Sequence, residues 1–431
     1  MKTFRIVTLG CKVNQYESEA LTQSFLKSGY EMAKEGEVAT VGIVNTCSVT
    51  NISDRKSRKL IRQTAKECEV LAVCGCYAQA KPEEAAAIEG VDLVIGNGNK
   101  HRLFSMLEEQ LSRNELEKIS IFPLTAETSF DKKPVTRYQE KTRAIIKVQD
   151  GCNSFCSYCI IPYVRGRLRS RNPLEILEEV TRLAKNGYQE IVLAGIHVCH
   201  YGKEFEESSP YRDLVDLLRS IEKISGIERI RLSSIEPFAF TEKFFEYYKE
   251  TKKLCPHFHI SLQSGSDTVL KRMNRHYTGE YYLNIVKTLR NIRPQTTVTT
   301  DVIVGFPGES EEEFQETLQL AEQVGFLKIH TFPYSRRSGT AADGMPNQLS
   351  NARKSERCKK MVDVSDRWEE KILSQFVGKT LFVLAEEEKE GGFFGFSENY
   401  LPVILEDKTL PPHQIYQVIP YRTDGKFLYV K

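Results

Sequence analysis

The chain has no apolar run approaching the roughly 20 residues that a membrane-spanning helix needs, and its opening, MKTFRIVTLG, carries neither a long hydrophobic segment nor a small-residue cleavage site. No membrane association and a cytoplasmic location are therefore expected. Net charge is also scarce: 60 Lys and Arg against 58 Asp and Glu leave +2. Without a global field, any nucleic-acid binding must come from local basic patches. What the chain has in quantity is cysteine. Eleven thiols in a reducing compartment do not make a disulfide framework, which leaves metal binding or redox chemistry as the leading explanation.

At 431 residues the chain is too long for a single core, and about 150 residues per domain predicts two or three units. From the start, strand-like runs (FRIVTLG, ATVGIVNT, EVLAVCG, VDLVIGN) alternate with helical patterns, the signature of a parallel sheet wrapped by helices. A polar stretch without a period follows and reads as a linker. A second βα series then has six strand candidates, RAIIKVQ, EIVLAGIHV, RIRLSS, HFHISLQ, TVTTDVIVGF and FLKIHTF, which predicts an open (β/α)6 partial barrel with its ligands at the carboxyl ends of the strands. After the long polar helix NARKSERCKKMVDVSDRWEEKILSQ come short β segments that predict a small C-terminal β-barrel. The expected fold class is thus α/β, divided as 1–115, a linker 116–140, a barrel 141–368 and a β-barrel 369–431. Phe393, Phe394, Phe396 and Tyr400 of the last unit are core or a platform for stacking bases.

The stretch DGCNSFCSYCIIP places Cys152, Cys156 and Cys159 in the loop after the first barrel strand. Soft thiolates select iron–sulfur clusters or zinc. A zinc knuckle completed from a distance is the competing reading, but knuckles favour two-residue gaps and the segment has no histidine. Three ligands on a cube leave one iron open for a substrate. In the N-terminal unit Cys11, Cys47 and Cys76 each follow a predicted parallel strand, so their loops converge on one sheet edge and can form a second three-thiolate site, with Cys74 as the alternative to Cys76. The basic run RGRLRSR, with Arg165, Arg167, Arg169 and Arg171, begins six residues after Cys159 and suits RNA phosphates and bases; internal ion pairing is the alternative. The other run, RKSRKLIR from Arg55 to Arg62, reads as a solvated face.

The pattern CNSFCSYC, with Tyr158 in the aromatic place, resembles the radical S-adenosylmethionine (SAM) superfamily, whose cube binds SAM at its open iron and cleaves it to a 5′-deoxyadenosyl radical. LAGIHV with Gly195, ISLQSGSD with Gln263 and DVIVGFPGES with Gly305 match the loops with which that superfamily holds SAM. Glu236 in RLSSIEP holds SAM or the substrate adduct, or else caps a helix. His197 and His200 are assigned no role. Further, TLGCKVNQYESEA, NTCSVTNISDRKSRK and VCGCYAQ resemble the cysteine signatures of the methylthiotransferase family, which joins such a domain to a radical SAM barrel and a terminal barrel called TRAM. The phrases FPYSRRSGTAA and FSENYLPV resemble its threonylcarbamoyladenosine branch.

That resemblance implies two 4Fe-4S clusters, one on Cys11, Cys47 and Cys76 and one on Cys152, Cys156 and Cys159. It also implies two SAM molecules per turnover and methylthio transfer to adenine C2 beside the anticodon. The implied partners are the tRNA anticodon stem–loop and an external electron donor of flavodoxin or ferredoxin type, with the enzyme a monomer. Isopentenyladenosine and a ribosomal-protein aspartate are the other substrates within the family; a non-enzymatic cluster carrier that binds RNA is the reading outside it. Cys68, Cys199, Cys255 and Cys358 match no ligand position.

Overall fold

The run ATVGIVNT is buried on both faces, as its apolar character requires of a central strand in a parallel sheet. The computed structural model describes residues 2–112, 117–124, 130, 134–136, 138, 142–389 and 391–431. In it, β1 (Thr3–Thr8), β2 (Glu31–Met32), β3 (Ala39–Thr46), β4 (Cys68–Gly75), β5 (Leu93–Ile95) and β6 (Ile119–Ser120) form one parallel sheet in the order β2-β1-β3-β4-β5-β6. Helix Lys12–Lys27 packs two ways. Leu21 and Phe25 join the core of this sheet with Phe4 and Ile43, whereas Tyr16 and Ala20 belong to the core of the barrel. One helix therefore anchors two units.

Eight short strands follow: β7 (Ala144–Lys147), β8 (Gln149–Asp150), β9 (Arg169–Ser170), β10 (Glu190–Ala194), β11 (Arg229–Leu232), β12 (His257–His259), β13 (Thr297–Val304) and β14 (Lys328–Pro333). Two parallel sheets, β7-β10-β11 and β12-β13-β14, are joined by parallel bridges Ile230–Leu254 and Ile235–Ile260, giving the six barrel strands. No pairing joins β14 back to β7 among the described residues, so the barrel is open. The antiparallel clip of β8 and β9 brackets the loop with Cys152, Cys156 and Cys159.

The C-terminal strands are β15 (Leu381–Lys389), β16 (Gly392–Ser397), β17 (Pro402–Leu405), β18 (Ile415–Val418), β19 (Arg422–Thr423) and β20 (Leu428–Val430), in the order β18-β15-β16-β17-β20-β19. All pairs are antiparallel except β17 with β20. Among the described residues the edges β18 and β19 do not pair, so the expected small barrel is a curled, half-barrel sheet. Its inner face packs Val383, Leu401 and Val403 onto Leu373 and Phe376 of the long helix Asn351–Phe376. The sheet docks on the amino-terminal ends of the barrel strands: Arg229 donates to the Phe382 carbonyl, Arg231 to that of Ser397 at 3.2 Å, and Asn399 to that of Gln295 at 3.3 Å. Phe393 is core, whereas Phe394, Phe396 and Tyr400 face the barrel interior.

Most of the 116–140 segment lies outside the described residues. Where it is described it is not a free linker: β6 extends the N-terminal sheet, and Val135 and Tyr138 are buried in the barrel core. No helix among the described residues is long and apolar enough to cross a membrane.

Candidate active site

Adjacent parallel strands β1, β3 and β4 deliver Cys11, Cys47 and Cys76 to the carboxyl edge of the sheet. Cys11 precedes helix Lys12–Lys27 at its amino end, and Cys76 opens helix Cys76–Ala80. The turn into that helix depends on Gly75: its φ is +95°, and a Cβ there would lie 2.4 Å from the Thr46 carbonyl oxygen. The Cys47 Cβ sits 3.1 Å from where a Cβ on Gly10, the neighbour of Cys11, would stand. The Cys47 thiol also feels both Cys76 and Cys11 electrostatically, and burial pushes it up to about 11. Cys74, the alternative ligand, points away into the apolar core beside Leu93 and Ile95.

The second group lies at the carboxyl end of β7. Gly151, with φ +70°, starts the loop, and a Cβ there would overlap the Arg167 carbonyl at 1.9 Å. The Cys159 amide donates to the Cys156 carbonyl at 2.9 Å, and Cys159 feels the thiols of Cys156 and Cys152. Burial pushes Cys159 up to about 12. His197 places Nδ1 3.6 Å from the Cys152 sulfur, and burial lowers its pKa to about 3, which keeps the ring neutral. Tyr158 packs against the cluster of Met273, Phe306 and Tyr334. Gly195 abuts Gln149, whose amide oxygen accepts from the His197 N–H at 2.6 Å. Gln263 holds a left-handed φ of 65° and exchanges backbone hydrogen bonds with Asp301 and Ile303. The Gly305 amide donates to Glu309 at 2.6 Å.

The donor chemistry of both groups fits iron–sulfur clusters. Each has three thiols at or just beyond strand ends, and in each a buried guanidinium donates to one sulfur: Arg165 Nε to Cys76 and Arg275 Nη1 to Cys156, both at 3.4 Å.

Two arginines differ from the expectation that the basic run faces RNA. Arg165 is 1 % exposed and bonded to Glu17 and Asn14 of the N-terminal unit. Arg171 is 2 % exposed and paired with Glu179 at 2.5 Å, with Tyr16 accepting a further bond at 3.1 Å. A guanidinium that is dehydrated and already paired cannot reach a phosphate, so both serve the interior. Arg169 is largely turned in, donating to the carbonyls of Arg165 and Arg167 at 3.0 Å. Arg167 alone of the four is exposed, lying over the ring of Phe155 at 5.2 Å.

Glu17, Arg275 and Arg337 were not foreseen from sequence, whereas Glu236 was. Glu17 is buried among Arg165, Lys100 at 2.7 Å and Lys147 at 2.7 Å, and these cations hold its carboxyl well below the usual range despite burial. Glu236 makes no capping bond; it pairs with Arg275, which also touches the hydroxyl of Tyr277. Arg337, from the loop after β14, is buried against Asp54 at 3.0 Å and the Ser48 carbonyl at 2.5 Å, pinning the segment after Cys47. The phrase YESEA contained Glu17, but its partners lie 83 to 148 residues away and leave no local signal.

Comparison with known proteins is consistent with this layout. The Radical SAM superfamily matches residues 146–321, and the Uncharacterized protein family UPF0004 matches residues 3–96. The threonylcarbamoyladenosine tRNA methylthiotransferase MtaB of Bacillus subtilis (strain 168) is 40% identical over 414 residues, 94% of this chain and 91% of that protein. The tRNA-2-methylthio-N(6)-dimethylallyladenosine synthase of Pelotomaculum thermopropionicum is 35% identical over 439 residues, 99% of this chain and 96% of that one. Among solved structures, the radical S-adenosylmethionine methyltransferase TsrM from Kitasatospora setae, with cobalamin and a [4Fe-4S] cluster bound, has a TM-score of 0.61 at 14% identity. It covers 80% of this chain and 74% of its own, a likeness of fold.

Proposed function

We propose that this chain, which belongs to the family of radical SAM methylthiotransferases, transfers a methylthio group to C2 of N6-threonylcarbamoyladenosine at position 37 of tRNA, next to the anticodon. The single observation that carries the reading is the pair of three-thiol groups in one chain, each with a guanidinium on a sulfur. The threonylcarbamoyl branch is favoured by the names of relatives at 40% identity, such as that of Bacillus subtilis. Cys11, Cys47 and Cys76 would hold one 4Fe-4S cluster, and Cys152, Cys156 and Cys159 the other. An adenine C2–H bond offers little to acid–base chemistry, and the clusters and two SAM molecules, when bound, supply the sulfur, methyl and one-electron chemistry that side chains cannot.

The protein's own part is to position and shield. Arg165 and Arg275 donate to thiolate sulfur and offset the negative charge gathered there. Tyr158, Gly195, Gln263 and Gly305 line up along successive strand ends as the SAM contacts, with the Glu236–Arg275 pair beside them. Arg167, with Arg169 behind it, remains the candidate for RNA phosphate, supported by the exposed rings of Phe155 and Tyr163. On this reading residues 1–115 form the sulfur-donating unit, 141–368 the SAM-cleaving unit and 369–431 a TRAM-like RNA-binding unit, joined by 116–140. The enzyme works as a cytoplasmic monomer with a flavodoxin- or ferredoxin-type electron donor.

The test is incubation of the reduced, iron-loaded protein with SAM and anticodon stem–loops carrying threonylcarbamoyladenosine or isopentenyladenosine, followed by nucleoside mass spectrometry. A 2-methylthio product from the threonylcarbamoyl RNA supports the reading, and product only from the isopentenyl RNA moves the chain to the other branch. Cys47→Ala should abolish transfer and leave SAM cleavage to 5′-deoxyadenosine intact. Loss of both activities would argue against separate roles for the two sites.

A further inference from the structure

Between the barrel strands and the C-terminal sheet lies a cavity of about 920 Å³, within the range of small-molecule pockets and roomy enough for a substituted nucleoside. Strand periodicity sets its wall: β14 presents His330 and Phe332, β12 presents His259 and β13 presents Asp301. Lys12, the neighbour of Cys11, lines it from the N-terminal unit. Glu236, outside this lining, feels the charges of Asp301 and His259 and is tied through Arg275 to Cys156. The lining thus adjoins one cysteine group through Lys12 and is linked electrostatically to the other through Glu236.

Most charges on this wall are already matched. Arg143 pairs with Glu386 at 2.9 Å, Lys328 with Glu369 at 2.8 Å, and His259 faces Asp301 at 3.2 Å. Two groups are not. Lys12 has no ion pair among the described residues, and His330 has no hydrogen bond among them, only the ring of His259 at 5.7 Å. Burial and nearby cations lower the pKa of His330, so at neutral pH it is an uncharged imidazole that can donate one bond and accept another. Above it, Phe332 is 42 % exposed, a free aromatic face. A ligand that satisfies this set has a flat base, a hydrogen-bonding arm and an anionic end. An isopentenyl arm would strip water from the ammonium and the imidazole and return nothing.

We propose that this cavity receives the N6 substituent of the target adenosine, with the Lys12 ammonium on the threonyl carboxylate and the His330 imidazole hydrogen-bonded to the carbamoyl–threonyl arm, and that these two residues select against an isopentenyl substituent. The assignment rests on the reading of the chain as a methylthiotransferase of modified tRNA adenosine. Asp301 is turned to His259, whose Nε2 lies 3.2 Å from its Oδ2.

The experiment compares anticodon stem–loops carrying threonylcarbamoyladenosine as the free acid and as its methyl ester, measuring methylthio product and equilibrium RNA binding. Wild-type protein should favour the acid by about tenfold, the order expected of one charge-assisted contact. Lys12→Met should bring that ratio to about one, and Lys12→Arg should restore it. His330→Leu should weaken both RNAs without changing the ratio. Because the ratio is internal to each variant, incomplete cluster loading does not affect it. A Lys12→Met protein that still prefers the acid as strongly as wild type, or a wild type indifferent to the ester, overturns the assignment. Failure of the functional reading is seen separately, as wild type that modifies neither threonylcarbamoyl RNA.

Discussion

In the barrel, Cys152, Cys156 and Cys159 share one loop of eight residues; in the N-terminal sheet, Cys11, Cys47 and Cys76 stand 36 and 29 residues apart on three loops. The local group is held by its own backbone, through the Gly151 turn and the Cys156–Cys159 hydrogen bond. The distributed group is held by side chains from elsewhere: Arg337 pins the loop after Cys47, and Arg165 reaches Cys76, Asn14 and Glu17. Both of those arginines come from the barrel unit. The lesson is one of dependence: the barrel site can be assembled locally, whereas the N-terminal site takes its final geometry from the neighbouring unit.

That contrast can be broken by mutation. The largest effect is expected for Arg337→Met, which leaves the buried Asp54 with the Ser48 hydroxyl at 2.8 Å and, as a cation, Lys81 at 3.9 Å. It should cost about 4 kcal/mol in chemical denaturation and release iron from the N-terminal group while the barrel group stays loaded. Equal iron loss from both groups would remove the asymmetry. Next is Arg165→Met, at about 3 kcal/mol, smaller because Lys100 and Lys147 still neutralise Glu17. Iron titration should again find the N-terminal group the weaker.

Comparable in size, but reached only in acid, is the contribution of Glu190. Its carboxyl is buried yet lowered to about 2 by Arg231, Arg143 and Arg229, the arginines beneath the C-terminal sheet. A depressed carboxylate contributes its stability above its unfolded pKa near 4.5, and that stability is lost as pH falls toward about 2. The whole is of order 3 kcal/mol. Glu190→Gln should flatten the acid limb of a denaturation-versus-pH curve. An unchanged limb would mean that the sheet–barrel junction does not depend on this charge. The smallest effect belongs to Arg167→Ala: exposed, it should change stability by less than about 0.5 kcal/mol and lower the salt dependence of RNA binding by about one unit of slope. Unchanged RNA affinity at every salt concentration would leave the basic run without an RNA role.

The same contrast explains what could be read from sequence. Spacing exposed the barrel cysteines directly, and the six barrel strands followed from their apolar runs. The N-terminal trio required topology, and the choice between Cys74 and Cys76 required knowing that a helix begins at Cys76 and turns it away from the core that Cys74 occupies. The basic run misled at Arg165 and Arg171 because a guanidinium reads alike whether its anionic partner is an RNA phosphate or the buried carboxylate of Glu17 or Glu179. Only the second arrangement removes it from the surface. Closure of the C-terminal sheet was likewise invisible, since short alternating strands are compatible with both a closed barrel and an open curl.

The aromatic stack under the barrel has a mechanical consequence. Phe396 and Tyr400 lie parallel with centroids 4.3 Å apart, Tyr400 stacks on His257 at 4.6 Å, and Arg143 covers both rings from the barrel side. On the proposed placement of the substrate arm, such a floor acts as a depth stop, and the length of the arm fixes how high the attached ring stands. Changing the thickness of the floor, as with Tyr400→Leu, would alter the reach of the whole chamber without touching a single group that reacts.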